Sequence, residues 1–422
     1  MKTKINFKAK IILLLLLTSL FNTREVRAQK FDLLYNTPEE NNFIDVIEED
    51  STFLLVGNEG KFGLNGSSLV YNFTPRYLII DKSGVILLDS LDQNIMNTMV
   101  VGVFKLDTTY LLVYNSLDSL WGLEVDKSLK KINRIRFSLV NSIDPWIYSN
   151  GKLSVDKSEL VITGTKHFQS LNINDGFVYV VHLDSVRNDT TILINRPHRI
   201  FSGANSGFKL GDKYYITATV STQYSINCLS NIHLYRYNTD FSLDTVVEIC
   251  NSLGPFGVGI ANASNYHFRN SFTQISDNSF VISARIVNDS TSLSSDPEDI
   301  GYSIIDTTFN ELKAGIIEVR DSFALEYIRN SDKHSDFSSF YVGGTERYII
   351  DPSGYSDSNS YFILRRLDMQ GNTLCTQFYS NSSYLNLKKV LATSDGGALL
   401  VGTSYDDKTA NGLENDVWIV KV

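Results

Sequence analysis

The residues best able to do chemistry are few and widely spaced in this 422-residue chain. It has six histidines and three cysteines, and none of them falls in the CxxC, HExxH or His-rich patterns that bind zinc. The GxSxG motif of an activated serine is also absent. The sequence therefore predicts no metal centre and no catalytic constellation.

Aromatic and histidine residues in the segments between apolar strands are the remaining candidates for binding. They are Phe62, Tyr71, Phe73, His167, Phe168, Tyr224, Tyr266 and His267. Aromatic rings can form a contact surface, and histidine can bind an anionic or sugar group. The alternative for each aromatic is packing beneath its own segment, and for each histidine a solvated surface position.

Two acidic runs could hold Ca²⁺ through carboxylate oxygens. One is Asp296-Pro297-Glu298-Asp299, and the other is Asp406-Asp407 with Glu414 and Asp416. Neither run has the spacing of an EF-hand or a calcium-binding nonapeptide repeat. Solvated loops are the alternative, and no other cofactor is predicted.

The elements that would position these residues recur along the chain. Seven apolar segments, spaced by roughly 50 to 66 residues, each follow a polar turn; they are residues 53–57, 110–113, 160–164, 214–218, 280–284, 340–344 and 398–402. A third strand, a turn rich in Asp, Asn, Ser and Gly, and a fourth strand follow most of them. The first strand cannot be placed in the third and sixth repeats. Four antiparallel strands per repeat predict an all-β fold, a seven-bladed β-propeller, with six or eight blades as alternatives.

The two chain ends predict how the ring closes. The seventh repeat stops after its third strand at Val422, and residues 31–35 form an unattached strand before the first repeat. Placing residues 31–35 as the outer strand of the last blade removes an exposed sheet edge. Residues 29–422 are then a single domain.

The segments between second and third strands predict which face of the propeller carries the functional site. They are long, and we expect them to be loops at residues 58–76, 166–176, 219–231, 285–300, 345–360 and 403–416. In a propeller these segments share a face with the connections between blades. Long loops cost little stability and commonly carry function.

Residues 1–28 have the pattern of a signal peptide. Four lysines precede the apolar run 11–17, and Val26-Arg27-Ala28 precedes the expected cleavage site. The apolar run is short for a bilayer span, so we expect a secreted or periplasmic protein with no membrane span after cleavage; an uncleaved anchor is the alternative.

Charge and cysteine content limit the partners and the covalent structure. The net charge is −9 with no evident basic patch, which argues against nucleic acid. A protein or glycan in the envelope or outside the cell is the expected partner. One Cys228–Cys250 bridge is compatible with the spacing, and Cys375 is expected to be a small buried residue.

The last repeat resembles a known type of sequence. Its Asp395-Gly396-Gly397, Val401-Gly402-Thr403 and Asp416-Val417-Trp418-Ile419-Val420-Lys421 segments resemble those of secreted β-propeller repeat proteins common in Bacteroidota. The resemblance implies the fold and an extracytoplasmic location, but no chemistry. Many such proteins carry a C-terminal domain for type IX sorting, which this sequence lacks, so the periplasm stays open.

Two functions remain in competition at this stage. The first is a secreted, non-catalytic binding or scaffold module that uses the long-loop face, including a purely structural role in an envelope assembly. The alternative is a carbohydrate-active hydrolase or lyase with its site at the channel mouth, since separate blades can contribute the residues of one site. Two carboxylates about 5–10 Å apart in a cleft would favour glycoside hydrolysis.

Overall fold

The computed structural model describes most of the chain from Lys30 onward. The described residues are 30–37, 41–65, 68–95, 97–116, 119–139, 146–154, 156–168, 173–183, 190–194, 202–220, 232–249, 252, 271–287, 298–317, 327–334, 338–346, 360–381, 383–405 and 415–422. The predicted signal peptide and both Cys228 and Cys250 lie outside them. A search of the described residues finds no helix long and apolar enough to cross a bilayer.

Seven four-stranded antiparallel sheets make up the described structure. The first strands of blades 1 to 7 are β2 (Asn41–Glu48), β6 (Thr98–Lys105), β10 (Trp146–Leu153), β14 (Ser202–Leu210), β18 (Ser271–Ser276), β22 (Tyr327–Asp332) and β26 (Tyr384–Ala392). The second strands are β3 (Thr52–Asn65), β7 (Tyr110–Ser116), β11 (Glu159–Phe168), β15 (Lys213–Val220), β19 (Ser279–Val287), β23 (Ser339–Glu346) and β27 (Ala398–Tyr405).

The outer halves of the sheets follow the same order. The third strands are β4 (Ser68–Asp81), β8 (Ser119–Val125), β12 (Ile173–His182), β16 (Ile232–Asn238), β20 (Glu298–Asp306), β24 (Tyr361–Asp368) and β28 (Asn415–Lys421). The fourth strands are β5 (Ile86–Leu91), β9 (Lys131–Leu139), β13 (Thr190–Ile194), β17 (Leu243–Glu248), β21 (Glu311–Ile317), β25 (Thr373–Tyr379) and, in blade 7, β1 (Phe31–Tyr35). The seven-bladed prediction is confirmed, and β10 and β22 are the first strands that the sequence did not place.

The first strands contact each other in order around the ring, from β2 to β26 and back to β2. They surround the central channel. An apolar cluster lies between each pair of neighbouring sheets. Within β3, for example, Phe53 and Leu55 face blade 7, whereas Leu54 and Val56 face blade 2. The second strands are apolar without interruption because both of their faces are buried.

The closure seam is the interface between blade 7 and blade 1. β1 pairs antiparallel with β28, from Phe31 opposite Lys421 to Tyr35 opposite Val417. Residues of both blades form the apolar cluster at this seam. On the short-turn face, Glu48 of blade 1 accepts hydrogen bonds from the Ser394 amide and hydroxyl of blade 7, both at 2.8 Å. The predicted closure by the N-terminal strand is therefore confirmed.

Aspartates in the turns between third and fourth strands bond the local backbone. Asp81 Oδ1 accepts from the Ser83 amide at 2.8 Å and from the Val85 amide at 2.9 Å, and also from the Ser83 hydroxyl. The hydroxyl bond has the largest effect, and together the bonds lower the pKa of Asp81. Gly84 follows with a φ of 88°. Phe309 takes the same left-handed position in blade 5, at a φ of 72°, where its ring packs near Tyr215 of blade 4. The turn chemistry predicted from the sequence is thus structural.

An ion pair between Asp395 and Lys421 joins the two ends of the motif in the last repeat. The side chain of Lys421 is almost fully buried, and its Nζ lies 2.9 Å from Asp395 Oδ2. Nζ also donates to the Val422 carbonyl at 2.8 Å. Asp395 accepts a further bond from the Thr393 hydroxyl at 2.6 Å. These contacts give the aspartate and the lysine a structural role.

Two expectations are wrong. Residues 58–76 and 166–176 are not long loops, because β3 with β4 and β11 with β12 continue as paired hairpins through most of them. Glycine, asparagine and lysine in these segments lower strand propensity, but direct cross-strand pairing outweighs that preference. Cys375 is also exposed rather than buried, because it lies on β25, the outer strand of its blade.

Candidate functional site

A two-stranded ribbon, residues 60–65 paired with residues 68–73 of blade 1, extends beyond its four-stranded sheet. Pairing between β2 and β3 ends at Asn41 opposite Glu59, and pairing between β4 and β5 ends at Arg76 opposite Leu91. The pairing of β3 with β4 continues to Asn65 opposite Ser68. At about 3.4 Å per residue, the ribbon is roughly 20 Å long.

Three of the predicted binding residues lie in this ribbon. Phe62 is the direct partner of Tyr71, and Phe73 is the partner of Gly60. Directly opposed positions in an antiparallel pair belong to one face of the ribbon, and so do positions two residues apart. Phe73, at the base of the ribbon, is buried.

A shorter extension in blade 3 carries two more of the predicted residues. Pairing between β10 and β11 ends at Trp146 opposite Lys166. Beyond that point His167 pairs with Asn174, and Phe168 pairs with Ile173. Tyr224, Tyr266 and His267 lie outside the described residues. The structure therefore places two separate sets of predicted residues, one on the blade 1 hairpin and one on the blade 3 hairpin.

The acidic runs proposed for Ca²⁺ are only partly described. Glu298 and Asp299 belong to β20, where they pair with Val287 and Ile286. Asp416 belongs to β28 and pairs with Ser404. In the part of the chain that the structure describes, no three His, Cys, Asp or Glu side chains come together as metal ligands.

Four charged residues on the first strands form a feature that sequence reasoning missed. We call Asp45, Lys152, Asp332 and Lys389 the axial cluster; they come from blades 1, 3, 6 and 7. Lys389 Nζ lies 2.9 Å from Asp45 Oδ1. Lys152 Nζ donates to the Phe272 carbonyl at 2.6 Å, a bond that joins blade 3 to blade 5 and passes over blade 4.

Backbone amides bind both carboxylates of the axial cluster. Asp45 Oδ2 accepts from the Val103 amide of blade 2 at 3.0 Å. Asp332 Oδ2 accepts from the Ala392 amide of blade 7 at 2.9 Å. Each carboxylate therefore ties its own blade to the next one, which is a structural use of its charge.

The position inside the ring shifts the pKa values of three residues of the axial cluster. Burial, with help from the Lys389 charge, lowers the pKa of Lys152 to about 8. Burial raises the pKa of Asp332. Burial opposes the charge of Lys389 too, but Asp45 and Asp332 raise its pKa overall. The two carboxylates thus have different environments, as paired acids and bases often do in active sites.

β-bulges in the first strands position Asp45 and Lys389. The register of β2 shifts between Phe43 and Asp45, and that of β26 shifts between Leu387 and Lys389. Gly57 lies opposite the first bulge, where a Cβ atom would sit 2.3 Å from the Asn42 carbonyl oxygen. A bulge redirects side chains and breaks the two-residue alternation. This break is why no periodic sequence signal marked the cluster.

A groove of about 510 Å³ lies on the outer rim between blades 6 and 7. Tyr379 and Trp418 line it with Asp32. The Trp418 indole donates to Asp32 Oδ1 and packs on Phe362 with ring centroids 5.0 Å apart. Trp418 is only 2% exposed, so the groove offers little aromatic surface to a ligand.

Comparisons with known proteins find similar folds and no assigned relative. No protein-family profile matches the sequence, and no curated protein does. Among solved structures, the Dos1 propeller is 11% identical, with a TM-score of 0.46 over 95% of this chain and 97% of that chain. A member of the DUF4221 family from Bacteroides vulgatus is 9% identical, with a TM-score of 0.42 over 94% and 98%.

A third similar structure is the β-propeller domain of the Trilobed protease from Pyrococcus furiosus. It is 9% identical, with a TM-score of 0.48 over 90% of this chain and 93% of that chain. Its structure is described as having an open velcro topology, whereas in the present chain β1 pairs with β28. These identities are too low to transfer an activity or a ligand.

Proposed function

We propose that this protein is an extracytoplasmic, non-catalytic binding module whose partner, a protein or a glycan, docks on the face that carries the hairpin extensions. The observation that supports this most is the ribbon of residues 60–73. Its pairing continues well beyond the sheet that would stabilise it. An extended hairpin pays ordering entropy that its own ring does not require, which a contact surface would explain.

The ribbon has the chemistry of a contact surface. Phe62 and Tyr71 are direct cross-strand partners, and aromatic pairs at such positions stabilise an isolated hairpin by about 0.2–1 kcal/mol. Aromatic residues also dominate the energetics of protein interfaces. A paired ribbon presents such residues with less entropy loss on binding than a loop would.

The proposed location rests on the sequence. Lysines followed by an apolar run and small residues before position 29 are the pattern of a secretory signal. The resemblance of the last repeat to exported Bacteroidota propellers supports the same location. Detection of the mature protein beginning at Gln29 in a periplasmic or extracellular fraction is the expected result.

The axial cluster supports a second candidate, a carbohydrate-active hydrolase or lyase. Its specific support is the pair Asp45 and Asp332, since burial raises the pKa of Asp332 while Lys389 and the Val103 amide bind Asp45. Acid–base catalysis by two carboxyl groups needs environments that differ. The internal bonds of both carboxylates favour the structural role, so we rank this function second.

Substitutions in the ribbon test the first proposal. We expect Phe62→Ala with Tyr71→Ala to weaken binding of the native envelope partner at least tenfold, which corresponds to about 1.4 kcal/mol. Lys61→Ala with Asn72→Ala, the adjacent cross-strand pair, is the matched control and should change affinity less than about twofold, within the usual range of surface substitutions. Crosslinking identifies the partner, and titration with the purified partner measures the affinity. Equal affinity of both double variants would contradict docking through the Phe62–Tyr71 pair.

A further inference from the structure

The outer strand of blade 2 is basic in a chain whose net charge is −9. We define the β9 strip as Lys127, Lys130, Lys131, Arg134 and Arg136. All five are exposed residues, and they follow one another along the turn before β9 and then along β9. Charge summed over the whole chain shows no basic patch, whereas the fold places this run on one exposed edge.

Two arginines of the strip are stacked against one tryptophan. The Arg134 guanidinium carbon lies 4.1 Å from the centroid of the Trp121 ring, and that of Arg136 lies 5.3 Å from it. The Ser119 hydroxyl accepts from Arg136 Nη2 at 2.5 Å. Stacking and this hydrogen bond hold the guanidinium planes in place and leave edges that can donate to a carboxylate or sulfate.

A comparison with the neighbouring blade shows what Arg134 lacks. In blade 1, Arg76 donates to Asp89 from Nε at 3.0 Å and from Nη2 at 2.8 Å, and Nη1 contacts Glu59. Arg134 has no carboxylate partner among the residues that the structure describes. Its fork is therefore ordered by aromatic rings but not neutralised by an internal acid.

Two lysines of the strip are partly neutralised within the protein. Lys127 Nζ lies 3.1 Å from Glu49 Oε2, and Lys131 Nζ lies 3.0 Å from Asp92 Oδ2. Both lysine side chains keep about half of their surface exposed, at 56% and 45%. The Asp126 carboxylate of the turn interacts with the charge of Lys130. The strip thus retains an excess of positive charge centred on Arg134.

The shape of the strip selects among polyanions. Its cations follow a single strand, which suits a single-chain ligand better than the wide surface of a nucleic-acid duplex. The register of β8 with β9 shifts twice, at Leu120/Trp121 and at Glu124/Val125. Bulges of this kind hinder the addition of a further strand along an edge, which disfavours an extended acidic peptide.

We propose that the β9 strip is a binding site for an acidic polysaccharide, with Arg134 and Arg136 receiving its carboxylate or sulfate groups. The site lies on the outer strand of blade 2, whereas the ribbon extends from the second and third strands of blade 1. It adds a second, electrostatic contact to the protein and is independent of the docking proposed for the hairpin face.

The test is titration of the full mature chain with polygalacturonate, which carries carboxylates, with dextran sulfate, and with neutral dextran. At low salt we expect saturable binding of polygalacturonate or dextran sulfate, a change in Trp121 fluorescence and no binding of dextran. Affinity should fall steeply as salt rises, because screening weakens exposed charge interactions. The stronger of the two acidic polymers identifies the anionic group.

Charge-matched variants separate the strip from net charge. Lys130→Gln with Arg134→Gln should weaken binding at least tenfold, whereas Lys30→Gln with Lys313→Gln, which removes the same charge elsewhere, should weaken it less than twofold. Arg134→Lys keeps the charge but loses the planar fork, so its affinity should lie between those of the two double variants. Thermal melts of each variant confirm that it is folded.

Three outcomes would overturn the proposal. They are no saturable binding of either acidic polymer at low salt, equal weakening in the two double variants, and tighter binding of polyglutamate or duplex DNA than of both polysaccharides. The Phe62→Ala, Tyr71→Ala variant should bind the polymers as the unaltered protein does. Failure at the β9 strip therefore leaves the test of the ribbon unaffected.

Discussion

The closure seam and the axial cluster both join blades that are distant in sequence, but they do so by different physics. At the seam, β1 adds a backbone ladder beside an apolar cluster, and exposed polar contacts join Ser394 to Glu48. In the channel, four charged side chains from four blades lie together, with backbone groups as their remaining partners. Stability at the seam is spread over many contacts, whereas in the channel it depends on a few charges.

The expected energies follow from this difference. A large apolar side chain that becomes fully buried contributes about 1.5–3 kcal/mol, and the seam buries several, including Tyr35, Phe43 and Phe53. An exposed ion pair contributes about 0–1 kcal/mol. Removing one partner of a buried pair costs about 3–5 kcal/mol, because the remaining charge stays uncompensated. Single polar losses should therefore matter more at the axis than at the seam.

The largest effect should follow removal of β1. A chain that begins at Asn36 loses the backbone ladder to β28 and the buried Tyr35 ring, and leaves the edge of β28 open. We expect a loss of cooperative thermal unfolding or a melting temperature lower by ten degrees or more, measured by circular dichroism against a chain that begins at Lys30. Unchanged melting of the shorter chain would show that the ring does not depend on its closure.

A smaller but still large effect should follow Lys389→Met. This substitution leaves Asp45 without its cation, and the Asp45 side chain is only 17% exposed. The Lys389 side chain is 26% exposed, so we expect a loss in the free energy of unfolding near or below the lower end of the about 3–5 kcal/mol that a fully buried pair costs, measured by denaturant titration. Combining it with Asp45→Asn should restore part of the loss, since no charge then remains alone.

The control for that substitution is an exposed ion pair. Lys157 Nζ lies 2.7 Å from Asp107 Oδ1, and the Asp107 side chain is 88% exposed. Lys157→Met should leave the denaturation midpoint unchanged within error. A similar cost at Lys157 and Lys389 would remove the distinction between axis and surface.

Lys152 should make stability depend on pH. Its pKa is about 8 in the folded protein and about 10.4 in an unfolded chain. Below pH 8 both states are protonated and the burial penalty is present in full. Between pH 8 and 9.5 the folded state binds fewer protons than the unfolded state, so stability rises with pH. Each pKa unit by which the two states differ corresponds to about 1.4 kcal/mol of stability, and the partial exposure of Lys152 reduces the gain.

The measurement compares the unaltered protein with Lys152→Met over that pH range. Lys389, Asp332 and Asp45 face Lys152 and are present in both proteins, so the difference between the two curves isolates Lys152. Measurements stop below pH 10. Burial raises the pKa of tyrosines such as Tyr77 in the folded protein, so at higher pH tyrosine ionises first in the unfolded chain, and this lowers stability. Parallel curves for the two proteins would contradict the assigned environment of Lys152.

The smallest effect should come from Arg76→Lys. Arg76 bonds to Asp89, which accepts across the seam from the Tyr35 hydroxyl of β1 at 2.7 Å. Lysine keeps the charge but cannot donate to Asp89 through two parallel bonds. We expect a loss of about 1 kcal/mol in a denaturant titration, because the ladder and the apolar cluster remain. A cost as large as that of Lys389→Met would show that stability at the seam is concentrated too.

The sequence predicts the parts of this protein that depend on local or repeated signals. Phe53 to Val56 are apolar because both sheet faces are buried, and Asp81 is followed by Ser83 and Gly84 because the turn needs them. The position of residues 31–35 followed from the missing fourth strand of the last repeat.

The remaining features depend on pairings that no local pattern records. Asp45 and Lys389 meet only because the ring brings blades 1 and 7 together, and bulges hide both from a test of alternation. Gly60, Gly63 and Asn65 are poor strand formers, which is why the local pattern predicts a loop where the structure has the ribbon. Arg134 stands out only after Trp121 is placed across from its strand.

The most direct test of the central claim asks whether the hairpin face binds while the channel only holds the ring together. The unaltered protein, the Phe62→Ala, Tyr71→Ala variant and an Asp45→Asn, Asp332→Asn variant are compared at a temperature where all three are folded. Partner capture from native envelope and polysaccharide hydrolysis are measured on each. We expect capture to fall at least tenfold in the ribbon variant alone and hydrolysis to be the same in all three proteins. Hydrolysis that is lost in the aspartate variant, with capture intact in the ribbon variant, would contradict it.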